Sequence, residues 1–235
     1  MKIIDQKEVL IENNFDIKEI IESRLPFWED LSLPDRDLIL SQVTRQKFDK
    51  GMVVNRDFEG CQGAMILLSG QLRTYIVSEE GREVTLYRLR AGENCVLSAA
   101  CLLDAITFEV IIQAAEDSDM LVIPTNTLNK IIERNPVVEL FLTRTANERF
   151  TDVMWTMQQI LFMGADKRVA HFLWEEIKKS DTKILSYTHD EIARYIGSAR
   201  EVVTRILKYF ADEGVVALKR GKVEITDFEK LKSYL

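Results

Sequence analysis

The sequence predicts an α+β chain: a small β-roll of jelly-roll type, a long helix, and a C-terminal helical region ending in a hairpin. Three observations predict it. Short strand-like runs punctuated by glycine fill residues 48–123, one long helical pattern follows Pro136, and two short helices with a basic hairpin behind them close the chain. The chain has 235 residues, 46% of them hydrophobic and 29% charged, which is enough apolar material for two cores. The expected division is 1–135, 136–164 and 165–235.

The first 45 residues read as short helices, with Pro26 and Pro34 each near a helix start, and end in the charged segment from Arg45 to Lys50. Strand-like runs then follow at Ala64–Leu68, Gln71–Val77, Glu83–Leu89, Phe108–Ala114 and Met120–Ile123. Gly51, Gly60, Gly63, Gly70, Gly81 and Gly92 separate them, a texture that suits a sandwich or small barrel. Ser78-Glu79-Glu80-Gly81 sits between two alternating strands as a hairpin turn, and Leu97–Leu103 reads as one short helix.

A brief helix is expected over Pro124–Arg134, and Pro136 opens a helix running to about Met163. Ala146, Phe150, Val153, Met157, Ile160 and Gly164 recur along it in alternating steps of four and three, which is the spacing of a coiled-coil seam. Such a seam predicts a homodimer. The competing reading is a helix packed on its own sheet, with Phe141, Met154 and Leu161 on the flanks.

The net charge of −7 is unevenly spread. Residues 165–235 hold 14 Lys+Arg against 12 Asp+Glu, a net of +2, so the remaining 17 bases and 26 acids leave −9 upstream. In the basic part, two short helices meet at Ile196-Gly197-Ser198. Thr188 and Glu191 are spaced as a capping box for the first, and Ser198 and Glu201 likewise for the second. Val203, Ile206, Leu207 and Phe210 form an apolar stripe at i, i+3, i+4 and i+7. Arg200, Glu201, Thr204 and Arg205 then share the opposite face, where a helix in the major groove reads base edges. Arginine can grip guanine with two donors and a carboxylate can accept from cytosine, so this face favours G·C pairs in each half-site. Glu201 could instead serve only as the cap of Ser198, and the arginines only as a solvated face. A basic hairpin with Lys219, Arg220 and Lys222 favours the DNA reading, because a wing there meets the phosphate backbone.

The stretch Gly197-Ser198-Ala199-Arg200-Glu201-Val202-Val203-Thr204-Arg205-Ile206-Leu207-Lys208 resembles the recognition helix of the cyclic-AMP receptor protein/FNR (Crp/Fnr) family. Leu68-Ser69-Gly70-Gln71-Leu72-Arg73 and Gly81-Arg82-Glu83-Val84-Thr85-Leu86-Tyr87 resemble the hairpins of its β-roll, and the long helix resembles its dimerisation helix. The resemblance implies a cyclic-nucleotide-binding-like roll and a C-terminal winged helix-turn-helix. It also implies sequence-specific binding of palindromic DNA by a dimer, with half-site centres roughly 34 Å apart. Arg200, Glu201 and Arg205 would read bases with Thr204 beside them, and Thr188, Ser198 and the wing would hold phosphates. Val202 departs from the polar residue common at its position. RNA polymerase and a small-molecule effector are the further partners implied.

The sensor part departs from the cyclic-AMP pattern. Members that bind the nucleotide carry a Gly-Glu pair and then an Arg-Ser pair, whereas here no arginine lies anywhere from Glu93 to Glu133. Cyclic AMP is therefore not the expected effector. The iron-sulfur branch needs four cysteines, mostly near the N-terminus, and the first 60 residues have none. Haem is not expected either, because the two histidines, His171 and His189, both lie in the C-terminal part. Cys95 and Cys101 flank the effector region, where a thiol switch is the alternative to buried, reduced side chains. No cofactor or metal is predicted. A cupin-like jelly-roll enzyme would gather histidines in the barrel, and residues 48–123 contain none. A protein-binding module without DNA binding is the other alternative. With no apolar run of about 18 residues and no basic-then-apolar leader, the expected location is the cytoplasm.

Overall fold

A computed structural model describes residues 17–55, 63–92, 94–95, 110–180 and 182–235. Cys61, Cys101 and the helix expected over Leu97–Leu103 lie outside the described residues, as does the side chain of Cys95. The fold divides into two compact units, 1–74 with 88–151, and 75–87 with 152–235.

In the first unit, α1 (residues 17–24) leads through a 3-10 turn, Trp28–Asp30, to α2 (Leu33–Gln42). Helix α2 starts where Pro34 and Ser32 dictate: the proline sits in the first turn, and the serine side chain accepts from Asp35 N. The Asp35 carboxylate is buried, and Arg134 Nε donates to it at 2.8 Å. That bond ties α2 to the chain just beyond α3 (Thr125–Ile132).

The segment expected to end the helical preface is instead a strand. β1 (Thr44–Phe48) pairs antiparallel with β8 (Ser118–Pro124), in the register Thr44↔Val122 to Phe48↔Ser118. It is an edge strand, so its charged side chains face solvent and carry no apolar alternation to read. Arg45 clasps Asp119 of β8 through Nη2–Oδ2 at 2.8 Å and Nε–Oδ1 at 3.0 Å.

The remaining strands are β2 (Val53–Asn55), β3 (Gly63–Ser69), β4 (Gln71–Val77), β5 (Glu83–Arg90), β6 (Asn94–Cys95) and β7 (Ile111–Ala114). They form two four-stranded sheets of order β1-β8-β3-β6 and β2-β7-β4-β5. Strands β3 and β8 are buried on both faces. Ala64, Ile66, Leu121 and Ile123 pack with Ile21, Trp28, Ile39, Leu128, Val138 and Leu142 of the helical layer. Met65, Leu67, Met120 and Val122 alternate with them and are equally buried, facing the inside of the roll. Gly63 pairs with Pro124 at φ 137°, and a Cβ there would fall on the Ile123 carbonyl. Only glycine fits this crossing.

The long helix α4 (Pro136–Phe162) begins at its proline and ends within a residue of the expected position. Val138 and Leu142 enter the core of the first unit, with Phe141 and Ala146 packed against it, and Phe141 meets Phe27 edge-on at 5.1 Å.

The second unit holds α5 (Ala165–Ser180), β9 (Ile184–Leu185), α6 (His189–Ile196), α7 (Arg200–Asp212), β10 (Val216–Lys219), β11 (Lys222–Ile225) and α8 (Phe228–Lys232). The last three strands make one antiparallel sheet of order β10-β11-β9. Its core combines Val169 and Leu173 of α5, Ile192 and Ile196 of α6, Val203, Leu207 and Phe210 of α7, and Val223 and Ile225 of β11. The outer part of the β4–β5 hairpin belongs to this unit: Thr85 Oγ1 donates to the Arg194 carbonyl at 2.9 Å, and Thr156 Oγ1 of α4 donates to that of Leu86 at 2.8 Å. Among the described residues, no helix is long and apolar enough to cross a membrane.

Candidate nucleic-acid interface

Helix α6 starts at the expected box. Glu191 N donates to Thr188 Oγ1 at 3.2 Å, and Thr188 N donates to Glu191 Oε2 at 2.8 Å. The Thr188 hydroxyl also donates to that carboxylate at 2.9 Å, so the side chain expected to hold a phosphate is engaged in its own cap, while remaining exposed. Just upstream, Phe172, Tyr187 and Tyr195 form an aromatic triangle with centroid separations of 5.2, 5.4 and 5.7 Å. The buried Glu176 accepts from the Tyr187 hydroxyl, which fixes the approach to the cap.

The second box does not form. Gly197 closes α6 in the left-handed region at φ 63°, ψ 48°, and Ser198 N donates to Ala193 O at 2.9 Å. Ser198 thus gives its backbone N–H to the end of the first helix and lies one residue ahead of the second helix's N-cap. The N-cap of α7 is Ala199, with no side-chain cap bond, and Glu201 stands in the second helical position rather than the third. Glu201 is exposed on the helix and has no capping bond to Ser198, so the reading in which it only caps Ser198 is corrected.

The α7 stripe is buried as expected, with Val203, Leu207 and Phe210 at 0% exposure, whereas Ile206 is half-buried. Arg200, Glu201 and Arg205 are exposed together on the other side, and Lys208, not singled out from the sequence, extends this face by one turn. Its spacing, i+3 from Arg205 and i+4 from Thr204, could have revealed it. Thr204 is half-buried, and its hydroxyl lies 3.0 Å from Nδ1 of His189, the first residue of α6. Burial, then the positive charges of Arg200 and Lys208, hold the His189 imidazole below its ordinary pKa.

In the wing, Lys219 Nζ donates to Glu224 Oε2 at 2.8 Å across the hairpin, while Arg220 and Lys222 are exposed beside Gly221. Lys219, Arg220 and Gly221 of this tip line an open groove of about 570 Å³ with Thr188, His189 and Arg200. At the far end of α7 the Tyr234 hydroxyl bonds that of Tyr209 at 3.5 Å, which pushes its pKa up to about 12. A winged helix-turn-helix with one basic face and a basic wing is a DNA-binding arrangement.

Exposure along α4 shifts the expected seam. Phe150 and Met157 are exposed at 64% and 51%, as a seam requires, but Ala146, Val153 and Ile160 are half-buried. Met154 and Leu161, which the competing reading packs on the chain's own sheet, are exposed at 45% and 61%. Trp155 and Phe162 are exposed as well, and among these exposed apolar residues Phe150, Met154, Met157 and Leu161 follow one another in steps of four and three.

Residues 45–135 match the profile of the cyclic nucleotide-binding domain, and residues 167–234 that of the Crp-like helix-turn-helix domain. The chain is 42% identical to a chain from Eubacterium rectale ATCC 33656 assigned to the Crp/Fnr family of transcriptional regulators, with TM-score 0.85, covering 90% of this chain and 98% of that one. It is 28% identical to the cyclic AMP receptor protein of Thermus thermophilus, over 86% of this chain and 93% of that protein. It is 26% identical to the transcriptional activator protein Anr of Pseudomonas aeruginosa, over 84% and 83%. The fold and interface define a DNA-binding transcription regulator rather than an enzyme. The chain belongs to the Crp/Fnr family.

The capping geometry predicts that Thr188→Ala costs about 0.5–2 kcal/mol of stability, whereas Ser198→Ala stays within about 0.5 kcal/mol. Denaturant unfolding of the two variants, followed by circular dichroism, checks this.

Proposed function

We propose that the protein acts as a homodimer on a palindromic site, with residues 1–135 as sensor, 136–164 as dimerisation helix and 165–235 as reader. The observation that carries the reading is the pairing of a fully buried Val203-Leu207-Phe210 stripe with an exposed Arg200-Glu201-Arg205 face. Arg200, Glu201 and Arg205 read base edges, with Thr204 alongside. Thr188, Ser198, Lys219, Arg220 and Lys222 serve the phosphate backbone, Lys219 after release from Glu224. RNA polymerase is the further protein partner and the cytoplasm the location.

Dimerisation rests on α4. A line of large apolar side chains 45–64% exposed over three turns is unusual on a monomer surface, and its four-three spacing fits a second copy of the same helix. Ala146, Val153 and Ile160 flank that line and Phe150 and Met157 lie on it. Glutamates at Phe150 and Met157 should yield monomers by light scattering, and an unchanged dimer would reject this interface.

The effector is proposed to be other than cyclic AMP, because residues 93–133 contain no arginine to pair with a buried cyclic phosphate. Cys95 and Cys101 remain the candidate redox pair of this region. Calorimetry of the full chain with cyclic AMP should register no binding, and micromolar affinity would refute the assignment.

For the reading face, Arg200→Ala and Arg205→Ala should each cost about 1–3 kcal/mol on the cognate palindrome and relax the preference for one G·C pair. Lys222→Ala should weaken all sequences alike and flatten the salt dependence by about one unit of slope. Glu201→Gln should shift the preferred base at one symmetric position. Fluorescence anisotropy against half-site variants measures all four; preferences unchanged in every variant would mean that this face does not read DNA.

A further inference from the structure

His189 lies beside Arg200 of the reading face in the second unit and has no part in the contacts proposed for that face. It is the first residue of α6, it lines the groove between the α7 N-terminus and the wing, and its Nδ1 is 3.0 Å from the hydroxyl of Thr204. The charged groups around it come from each neighbouring element. Helix α7 contributes Arg200 and Lys208, the wing contributes Arg220 and Lys219, the latter paired with Glu224, and α6 contributes Asp190, whose carboxylate is already paired with Arg194 at 3.1 Å. Glu191, the other nearby carboxylate, is held in the Thr188 cap. The surroundings are thus cationic, with both acids of α6 occupied elsewhere.

The bond to Thr204 makes the state of the ring chemically consequential. With its proton on Nε2, the neutral imidazole accepts the Thr204 hydroxyl proton at Nδ1, and Thr204 can offer DNA only lone pairs. A protonated ring carries hydrogen on both nitrogens, so Nδ1 donates to Thr204 and the hydroxyl proton is turned outward. The groups DNA presents there are mostly acceptors: phosphate oxygens, purine N7, guanine O6 and thymine O4. The same polyanion offsets the positive charges of Arg200 and Lys208 that disfavour the imidazolium.

We propose that His189 is a proton-linked positioning residue of the DNA interface: it takes up a proton when DNA binds and thereby fixes Thr204 as a hydrogen-bond donor toward the DNA. The inference rests on the DNA-reading role proposed above for α7. The sign follows from the free ring lying below the ordinary histidine pKa and rising in the complex. Well above both values the ring is neutral with and without DNA, and affinity is flat. As pH falls through the bound-state value, affinity increases, by up to about tenfold per pH unit per protomer, until it levels below the free-state value.

The test uses the full chain and a duplex that it selects from a random pool. Binding is measured by anisotropy from pH 5.5 to 8.5 at constant ionic strength, for wild type, His189→Gln and Thr204→Val. The histidine Cε1–H resonances are titrated with and without duplex, and the His189 signal is identified by its loss in His189→Gln. The expected results are affinity that rises toward low pH in wild type, a flattened profile in His189→Gln, and an upward pKa shift of His189 on adding duplex. Thr204→Val should keep the pKa shift but lose the pH-dependent part of the base preference. Identical profiles for wild type and His189→Gln, or a His189 pKa unmoved by DNA, would overturn the inference while leaving DNA reading intact. Failure to select or bind any duplex at any pH would overturn both.

Discussion

The burial of three side chains, Val203, Leu207 and Phe210, determines what the second helix of the helix-turn-helix can present. Each is fully buried against α5, α6 and the wing sheet. At roughly 1.5–3 kcal/mol per side chain, rolling the stripe out of the core would cost an amount comparable to the stability of an ordinary domain. The helix therefore has one rotational setting. In that setting Arg200, Glu201, Arg205 and Lys208 have no apolar surface to cover and stand free for a polyanion.

The turn before this helix adds a second constraint. Gly197 has a left-handed backbone, which glycine adopts without the penalty of about 1–2 kcal/mol that other residues meet. A Cβ at this position would come within 3.3 Å of Ile160 Cδ1 and 3.5 Å of Val84. Thr85 reaches the carbonyl of Arg194 three residues earlier. The turn that separates the two DNA-facing helices is thus packed by the β4–β5 hairpin and the last turns of α4, stretches distant in sequence. The left-handed closure also leaves Ser198 one residue ahead of Ala199, the N-cap of α7, so the apparent capping box of α7 is out of register while that of α6 is complete.

Features with a local cause were legible in the sequence. Pro136 set the start of the long helix, Thr188 and Glu191 that of α6, glycines bounded the runs that became β3, β4 and β5, and a short apolar run marked β8, each to within a residue or two. The reading face was equally legible, because the stripe that buries one side of α7 also defines the other. What could not be read depended on partners far along the chain. Strand β1 is a charged edge strand whose identity comes from pairing with β8, more than 70 residues away, and from the clasp of Arg45 on Asp119. The two-residue β9 exists only as the partner of β11. The exposed line of α4 is rotated from the expected one because Ala146 packs against the first unit's core and Ile160 lies against the turn at Gly197. The bond between His189 and Thr204 spans two helices that their spacing alone does not align.

The central claim is that this surface reads DNA as a symmetric pair. Selection of duplexes from a fully random pool by the full chain, followed by sequencing, tests it most directly. The expected product is an inverted repeat with G·C pairs in each arm and half-site centres about 34 Å apart. Enrichment of no sequence, or of a single unrepeated motif, would contradict it.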